Sequence, residues 1–202
     1  MKVVTTQSNT RWLEEVDSAV FGDSTDLSLM LTGGRSAKKL YDHWLKMDWF
    51  SSYNIDCYFG DERCVSPDSL ESNYGMVMNT LFVEGVPDGC RVHRMKGEQV
   101  DFEREVARYA SILPDSIDVL LLSVGEDGHI ASIFPGSEVL YDEMSPVRHI
   151  HAPKPPIERL TITPKVLKSA KKIIVLACGL EKGKVVAEAL KQPSATQKLP
   201  IT

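Results

Sequence analysis

DVLLLSVGEDGHIASIFPGS, residues 118–137, is the stretch on which the fold turns. Its aliphatic run, Val119 to Leu122, breaks off at Ser123-Val124-Gly125. A short apolar run bounded by turn residues fits a strand buried on both faces, as in a parallel sheet. The polar loop Gly125-Glu126-Asp127-Gly128-His129 then falls at the carboxyl end of that strand, where open parallel sheets bind ligands. Ile130 to Phe134 is expected to open a short helix, with Asp127 as its cap and Gly128 allowing the tight turn. His129 is the one side chain of the loop that exchanges a proton near neutral pH. On residue types alone the loop reads equally as a site and as a surface turn with a solvated His.

Upstream, Trp12, Leu13, Val16, Val20 and Phe21 recur at helical spacing over residues 11–21, and Gly22-Asp23-Ser24 reads as the stop. Leu27 to Leu31 is a strand. Thr32-Gly33-Gly34-Arg35-Ser36 is a glycine turn into a helix that carries Leu40, Tyr41, Trp44 and Leu45, with Ser36 as its cap. A glycine turn before a helix is commonly only a turn. It also suits phosphate, because the backbone can approach an anion and the helix dipole favours negative charge there. Ile55 to Phe59 is a second strand, ending in Gly60-Asp61-Glu62-Arg63. Such a charged cluster is either a solvated edge or a grip on a sugar: carboxylates accept hydroxyl hydrogen bonds and Arg forks onto oxygens. A helix carrying Met76, Val77, Leu81 and Phe82 follows. Residues 85–97 read as irregular, with His93 a surface or strand residue.

Phe102, Val106, Tyr109 and Ala110 mark a helix over residues 98–113, stopped by Pro114. After the central loop, His149 and His151 share one face of a strand, without the partners a metal would need. Residues 158–163 alternate as a strand or as a lead-in to the helix that Pro164 starts. Lys172 to Cys178 reads as another buried strand. Gly179-Leu180-Glu181-Lys182 then starts a last helix with Val185, Val186, Ala189 and Leu190 inward. Strands alternating with helices predict a mainly parallel sheet covered on both faces. Four strand ends, GGRS, GDER, GEDGH and GLEK, then share one edge, and their convergence favours a site over any one cluster.

The 202 residues, 43% of them hydrophobic, suffice for one domain spanning 1–202. A net charge of −5 argues against nucleic acid and against an anionic membrane as partner. The four Cys show neither disulfide nor zinc spacing, so no metal is expected, and free thiols suit the cytoplasm. The N-terminus lacks an apolar signal core, and no apolar run approaches about 18 residues.

Five segments in order, LTGGRS with KKLY, FGDERCVSPDSLESNYG, LLSVGEDGHIASIFPGS, ERLTIT and CGLEKGKVV, resemble the 6-phosphogluconolactonases. These lie in the group that includes glucosamine-6-phosphate deaminases and ribose-5-phosphate isomerases. DER followed by SNYG, and DGHxASxFPG, are the specific pieces. Deaminases typically continue from the GH to a phenylalanine-asparagine-glutamate segment. Ala37 stands where the family usually has proline and Ile130 where it has threonine, which bears on loop geometry more than on chemistry. The chain is also somewhat short for the family.

The resemblance implies a three-layer α/β sandwich around a Rossmann-like sheet, no cofactor, and a small sugar-phosphate lactone as partner. It implies a cytoplasmic enzyme, monomeric or a weak homodimer, that hydrolyses 6-phospho-D-glucono-1,5-lactone. His129 is the expected base. Asp127 orients the loop or substrate, and Arg63 holds and polarises the lactone alongside Asp61. Asn73, Gly125 and Gly128 complete the pocket. The phosphate is expected against Gly33, Gly34, Arg35 and Ser36, with Arg159 and Lys182 adding charge. No GxSxG elbow or suitably placed cysteine is present, which favours direct attack by water over an acyl-enzyme. The rival readings are a glucosamine-6-phosphate deaminase and a non-catalytic sugar-phosphate sensor.

Overall fold

Strands β1 (Asp26–Leu31) and β5 (Val119–Ser123) show why their sequences are apolar without alternation. Leu29 and Leu31 enter one core with Val119 and Leu121, whereas Met30 enters a second core with Leu120 and Leu122. Successive side chains point to opposite faces of a strand, so a sheet buried on both sides needs apolar residues at every position. The computed structural model describes residues 2–7, 10–22, 25–47, 49–191 and 200. In it, β1, β2 (Asn54–Phe59), β4 (Cys90–Val92), β5 and β8 (Lys172–Leu176) form a parallel sheet in the order β4-β2-β1-β5-β8.

One face is covered by α1 (Arg11–Val20), α2 (Arg35–Met47), α3 (Asn73–Met78) and the segment after it, through Val16, Val20, Leu40, Trp44, Val77 and Phe82. The other face carries α4 (Phe102–Ile112), α5 (Pro164–Ser169) and α6 (Leu180–Lys191). It also carries a three-stranded antiparallel sheet, β3 (Asp61–Arg63), β7 (Glu158–Ile162) and β6 (Val147–His151), in the order β3-β7-β6. The result is the expected three-layer α/β arrangement with a small second sheet added.

Several local expectations are corrected. Ile130 to Phe134 is not helical: Ile130 bridges back to Val124 and Ile133, and Ala131 has φ 48°. Ile130, Ala131, Ile133 and Phe134 are all buried, so the segment has no polar face and folds as a tight loop. GDER is not a solvated strand end, because Asp61–Arg63 is itself the strand β3. Residues 158–163 keep their expected form, strand β7 leading through Thr163 into the helix that Pro164 starts. The irregular stretch 85–97 contains the edge strand β4. β8 is an edge strand, with Ile173 and Val175 at 44% and 40% exposure, rather than a buried one. On α6, Ala189 is buried but Leu190 is exposed. The first helix ends at Val20; of its expected stop, Asp23 and Ser24 lie outside the described residues.

Two tyrosines fix the sheet edge that matters. Tyr41 on α2 accepts the Thr32 N–H (3.0 Å) and donates to the Thr32 carbonyl (2.8 Å). Tyr109 on α4 does the same for Phe59, at 2.7 and 3.0 Å. The ladder ends there, and these hydroxyls satisfy buried backbone groups that would otherwise be orphaned. Among the described residues, no helix is long and apolar enough to cross a membrane.

Candidate active site

The loops that follow β1, β2, β5 and β8 enclose a cleft of about 240 Å³. Gly33 and Gly34 come from the β1–α2 turn, Asp61 and Arg63 from β3, and Asn73 from the start of α3. Gly125 and His129 come from the β5 loop, Arg159 from β7 and Lys182 from α6. Residues scattered over most of the chain therefore meet at one edge. A second cavity of about 270 Å³ is lined by Trp44, Phe50, Leu81 and Phe82, with Glu84 its one charged side chain among the described residues. It lacks the convergence of charge that marks the first.

The centre of the cleft is His129. Its Nδ1 makes a very short contact with Asp127 Oδ1, and its backbone N–H also faces that oxygen at 3.3 Å. The turn is closed by Gly125 N–H to the His129 carbonyl (2.8 Å) and Gly128 N–H to the Gly125 carbonyl (3.1 Å). Gly128 takes φ 83°, a conformation that favours glycine. Gly128 and Asp127 shape this loop without lining the cleft. Burial holds the His129 pKa below its ordinary value, outweighing the opposing pull of the Asp127 carboxylate. For Asp127 the balance runs the other way. Burial would raise its pKa, but hydrogen bonds from His129 and Lys154 hold it at about 2. A neutral imidazole beside an ionised carboxylate places the Nδ1 proton toward Asp127 and leaves Nε2 as the basic nitrogen.

A polar network stands beside it. Asn73 donates to the Asp61 carbonyl (2.9 Å) and to Asp61 Oδ1 (3.1 Å). Ser132 donates to Asp61 Oδ2 (2.6 Å), and Arg159 reaches Ser132 Oγ at 3.4 Å. Arg159 is buried, with its Nε on the Pro156 carbonyl at 2.9 Å; burial and the nearby Arg63 lower its pKa. Arg63 donates through Nη1 to the Glu71 carbonyl (2.6 Å), while its buried Nε has no partner among the described residues. Glu62, between Asp61 and Arg63, is consumed structurally. Its buried carboxylate accepts the N–H groups of Arg63, Asn73 and Tyr74, each at 2.7 Å.

At the other end lies the glycine turn. Gly34 takes φ 95°, and a methyl group at Gly33 would stand 1.9 Å from Asn73 Oδ1. Lys182 lines this end, its pKa lowered by burial and then by Arg35. Arg35 and Ser36 are not brought into the cleft. The Arg35 side chain is 88% exposed and pairs with Glu126 at 3.5 Å, while Ser36 is buried and accepts the Cys178 N–H at 3.2 Å. Ser36 thus ties the starts of the second and last helices together.

Six lining residues are not among the candidates read from the sequence: Thr32, Ser123, Val124, Glu126, Ala131 and Lys154. Ser123 Oγ is buried without a hydrogen-bond partner among the described residues. Thr32 and Ser123 carry a legible signal, since each ends an apolar strand run. Lys154 carries none, because it sits in a proline-rich connection far from the glycine loops. Cys64, next to Arg63, has its thiol pushed up to about 12 by burial, so it is not a thiolate at neutral pH. His149 and His151 both pair with Glu158, on β6 and β7. Among the described residues no cluster of His, Cys, Asp and Glu has metal-binding geometry.

A family model described as glucosamine-6-phosphate isomerases/6-phosphogluconolactonase matches residues 2–202. The chain is 30% identical over 179 residues to a 6-phosphogluconolactonase of Haemophilus influenzae, covering 85% of this chain and 77% of the relative. It is 31% identical over 203 residues to 6-phosphogluconolactonase 4 of Saccharomyces cerevisiae, covering 88% and 78%. The solved 6-phosphogluconolactonase of Trypanosoma brucei superposes with a TM-score of 0.77 at 28% identity, over 95% of this chain and 86% of that one. A monomeric glucosamine-6-phosphate deaminase also superposes, with a TM-score of 0.83 at 21% identity over 100% and 91%, and shares the fold.

Proposed function

The chain belongs to the glucosamine-6-phosphate isomerase/6-phosphogluconolactonase family, and on that premise we propose that it hydrolyses 6-phospho-D-glucono-1,5-lactone to 6-phospho-D-gluconate, in the oxidative pentose phosphate pathway. The observation that carries the reading is the pairing of Asp127 with His129 in a cleft lined also by Arg63, Lys154, Arg159 and Lys182.

Lactone hydrolysis needs a base for the water proton and donors for the developing oxyanion. His129 Nε2 takes the proton as water adds to C1, while Asp127 holds the ring in the correct tautomer. Arg63 lines the cleft, and its guanidinium is the donor suited to the carbonyl oxygen as it gains charge. Collapse of the tetrahedral species breaks the bond from C1 to the ring oxygen. The imidazolium returns its proton to that oxygen, so no net proton stays on the enzyme. Asp61, held by Asn73 and Ser132, accepts hydrogen bonds from sugar hydroxyls. The phosphate lies against Gly33 and Gly34 at the start of α2, with Lys182 and Arg159 supplying charge; Arg35 and Ser36 drop out of this role. Four cysteines without disulfide partners are in keeping with a cytoplasmic setting.

The test offers purified protein phosphogluconolactone and glucosamine 6-phosphate separately and follows acid and ammonia release. Acid release from the lactone alone is the expected result. Ammonia from the amino sugar, with no acceleration of lactone opening, would overturn the assignment.

A further inference from the structure

We propose that Lys154 is a positioning residue of the site: it holds Asp127, and through Asp127 the ring orientation and protonation of His129. This rests on the reading of His129 as base. Lys154 lies on the connection between β6 and β7, remote in sequence from the loop it serves. Its Nζ donates to Asp127 Oδ2 at 3.0 Å, the oxygen not turned to His129. The same Nζ stands 5.5 Å from the centre of the Phe134 ring, and that ring packs against the His129 imidazole at 4.8 Å. The Lys154 carbonyl in turn accepts Arg159 Nη2 at 3.4 Å. Lys154 therefore touches both supports of His129, its carboxylate and its aromatic wall.

The chemistry of this arrangement is specific. A lone carboxylate beside an imidazole favours the imidazolium and would spoil a base at neutral pH. A cation on the far oxygen of that carboxylate offsets the pull while leaving the hydrogen bond that fixes the tautomer. Lys154 disfavours protonation of His129 directly as well. The other charged groups facing His129 are Asp61 on β3, which favours the imidazolium, and Arg159 on β7, 5.6 Å from the Phe134 ring. Glu126, on the same loop, is turned to Arg35.

The experiment compares wild type, Lys154→Met and Lys154→Arg by two readouts: NMR titration of the His129 imidazole, and kcat and KM for phosphogluconolactone against pH. Lys154→Met is expected to move the His129 titration to higher pH and to lower kcat by roughly ten- to hundredfold, the cost of a displaced reacting group. KM should hold, and Lys154→Arg should restore the titration. An unmoved titration in Lys154→Met overturns the proposal, and a rise in KM alone would mark Lys154 as a phosphate contact instead. A shifted titration with unchanged kcat leaves the coupling standing and removes His129 as the base, so the two readings fail separately. The Lys154 side chain is 47% exposed, so neither variant is expected to cost the fold.

Discussion

A methyl group at position 125 would stand 2.0 Å from His129 Nδ1 and 2.5 Å from Asp127 Oδ1. Real Cβ contacts do not come so close, so Gly125→Ala must push the imidazole off its carboxylate. The expected loss is close to that of His129→Ala itself, roughly two to four orders of magnitude in turnover, the worth of a positioned acid–base group. Turnover near wild type in a folded Gly125→Ala protein would show that the pair need not touch. The pH profile reports the same residue. Because the His129 pKa lies below the ordinary imidazole value of 6.5, the neutral imidazole persists into mildly acid solution. Activity is therefore expected to hold at pH 6.5 and to fall only as pH drops through the lowered value. A kcat/KM profile already half lost above pH 6.5 would contradict that direction.

Individual elements carry the site through bonds that extend beyond the regular ladder. Tyr109 is fully buried, and its hydroxyl closes both backbone groups of Phe59, one residue before Gly60 and two before Asp61. Tyr109→Phe leaves a buried N–H and a buried carbonyl unpaired, expected to cost about 1–3 kcal/mol. A urea titration measures this as a lower midpoint at unchanged slope. Strand β5 was legible in the sequence because burial on both faces leaves an unbroken apolar run, and β1 and β2 by the apolar residues of their second halves, 29–31 and 57–59. The turns after them were legible because glycine punctuates them. The loop after His129 misled, since Ile130-Ala131-Ser132-Ile133-Phe134 has the composition of a helix start. What decides its shape is remote: Ser132 gives its N–H to Thr161 Oγ1 (3.2 Å) and its hydroxyl to Asp61. The strand nature of Asp61–Arg63 was hidden for the same reason, because its partner β7 lies almost a hundred residues away. The Lys154 contact to Asp127 spans 27 residues and follows no spacing rule. Ser36 was read as a phosphate ligand from its place in a glycine turn, whereas the start of the last helix claims it.

The molecule as a whole is acidic, with a net charge of −5, yet its cleft is lined by four cationic side chains against the carboxylates Asp61 and Glu126. A local field of opposite sign to the net charge draws a phosphorylated sugar to the site and gives nothing to an uncharged one. Salt screens such a field over about 8 Å at physiological ionic strength. Raising the salt should therefore lower kcat/KM for phosphogluconolactone and leave that for gluconolactone flat. Substitution locates the charge responsible. A charge-assisted hydrogen bond to phosphate is worth on the order of 1.5–3 kcal/mol, so Lys182→Ala should weaken binding of the phosphorylated lactone about tenfold to a hundredfold. Lys182 is partly open to solvent, which favours the lower end of that range. Arg159→Ala should show the same selectivity with a larger effect, because Arg159 is buried. The measurement is the ratio of specificity constants for the two lactones in each protein. A substitution that lowers both constants equally acts on the reacting end rather than on the phosphate. In that case the glycine turn and the start of α2 hold the anion alone, and the salt dependence should survive the loss of that residue.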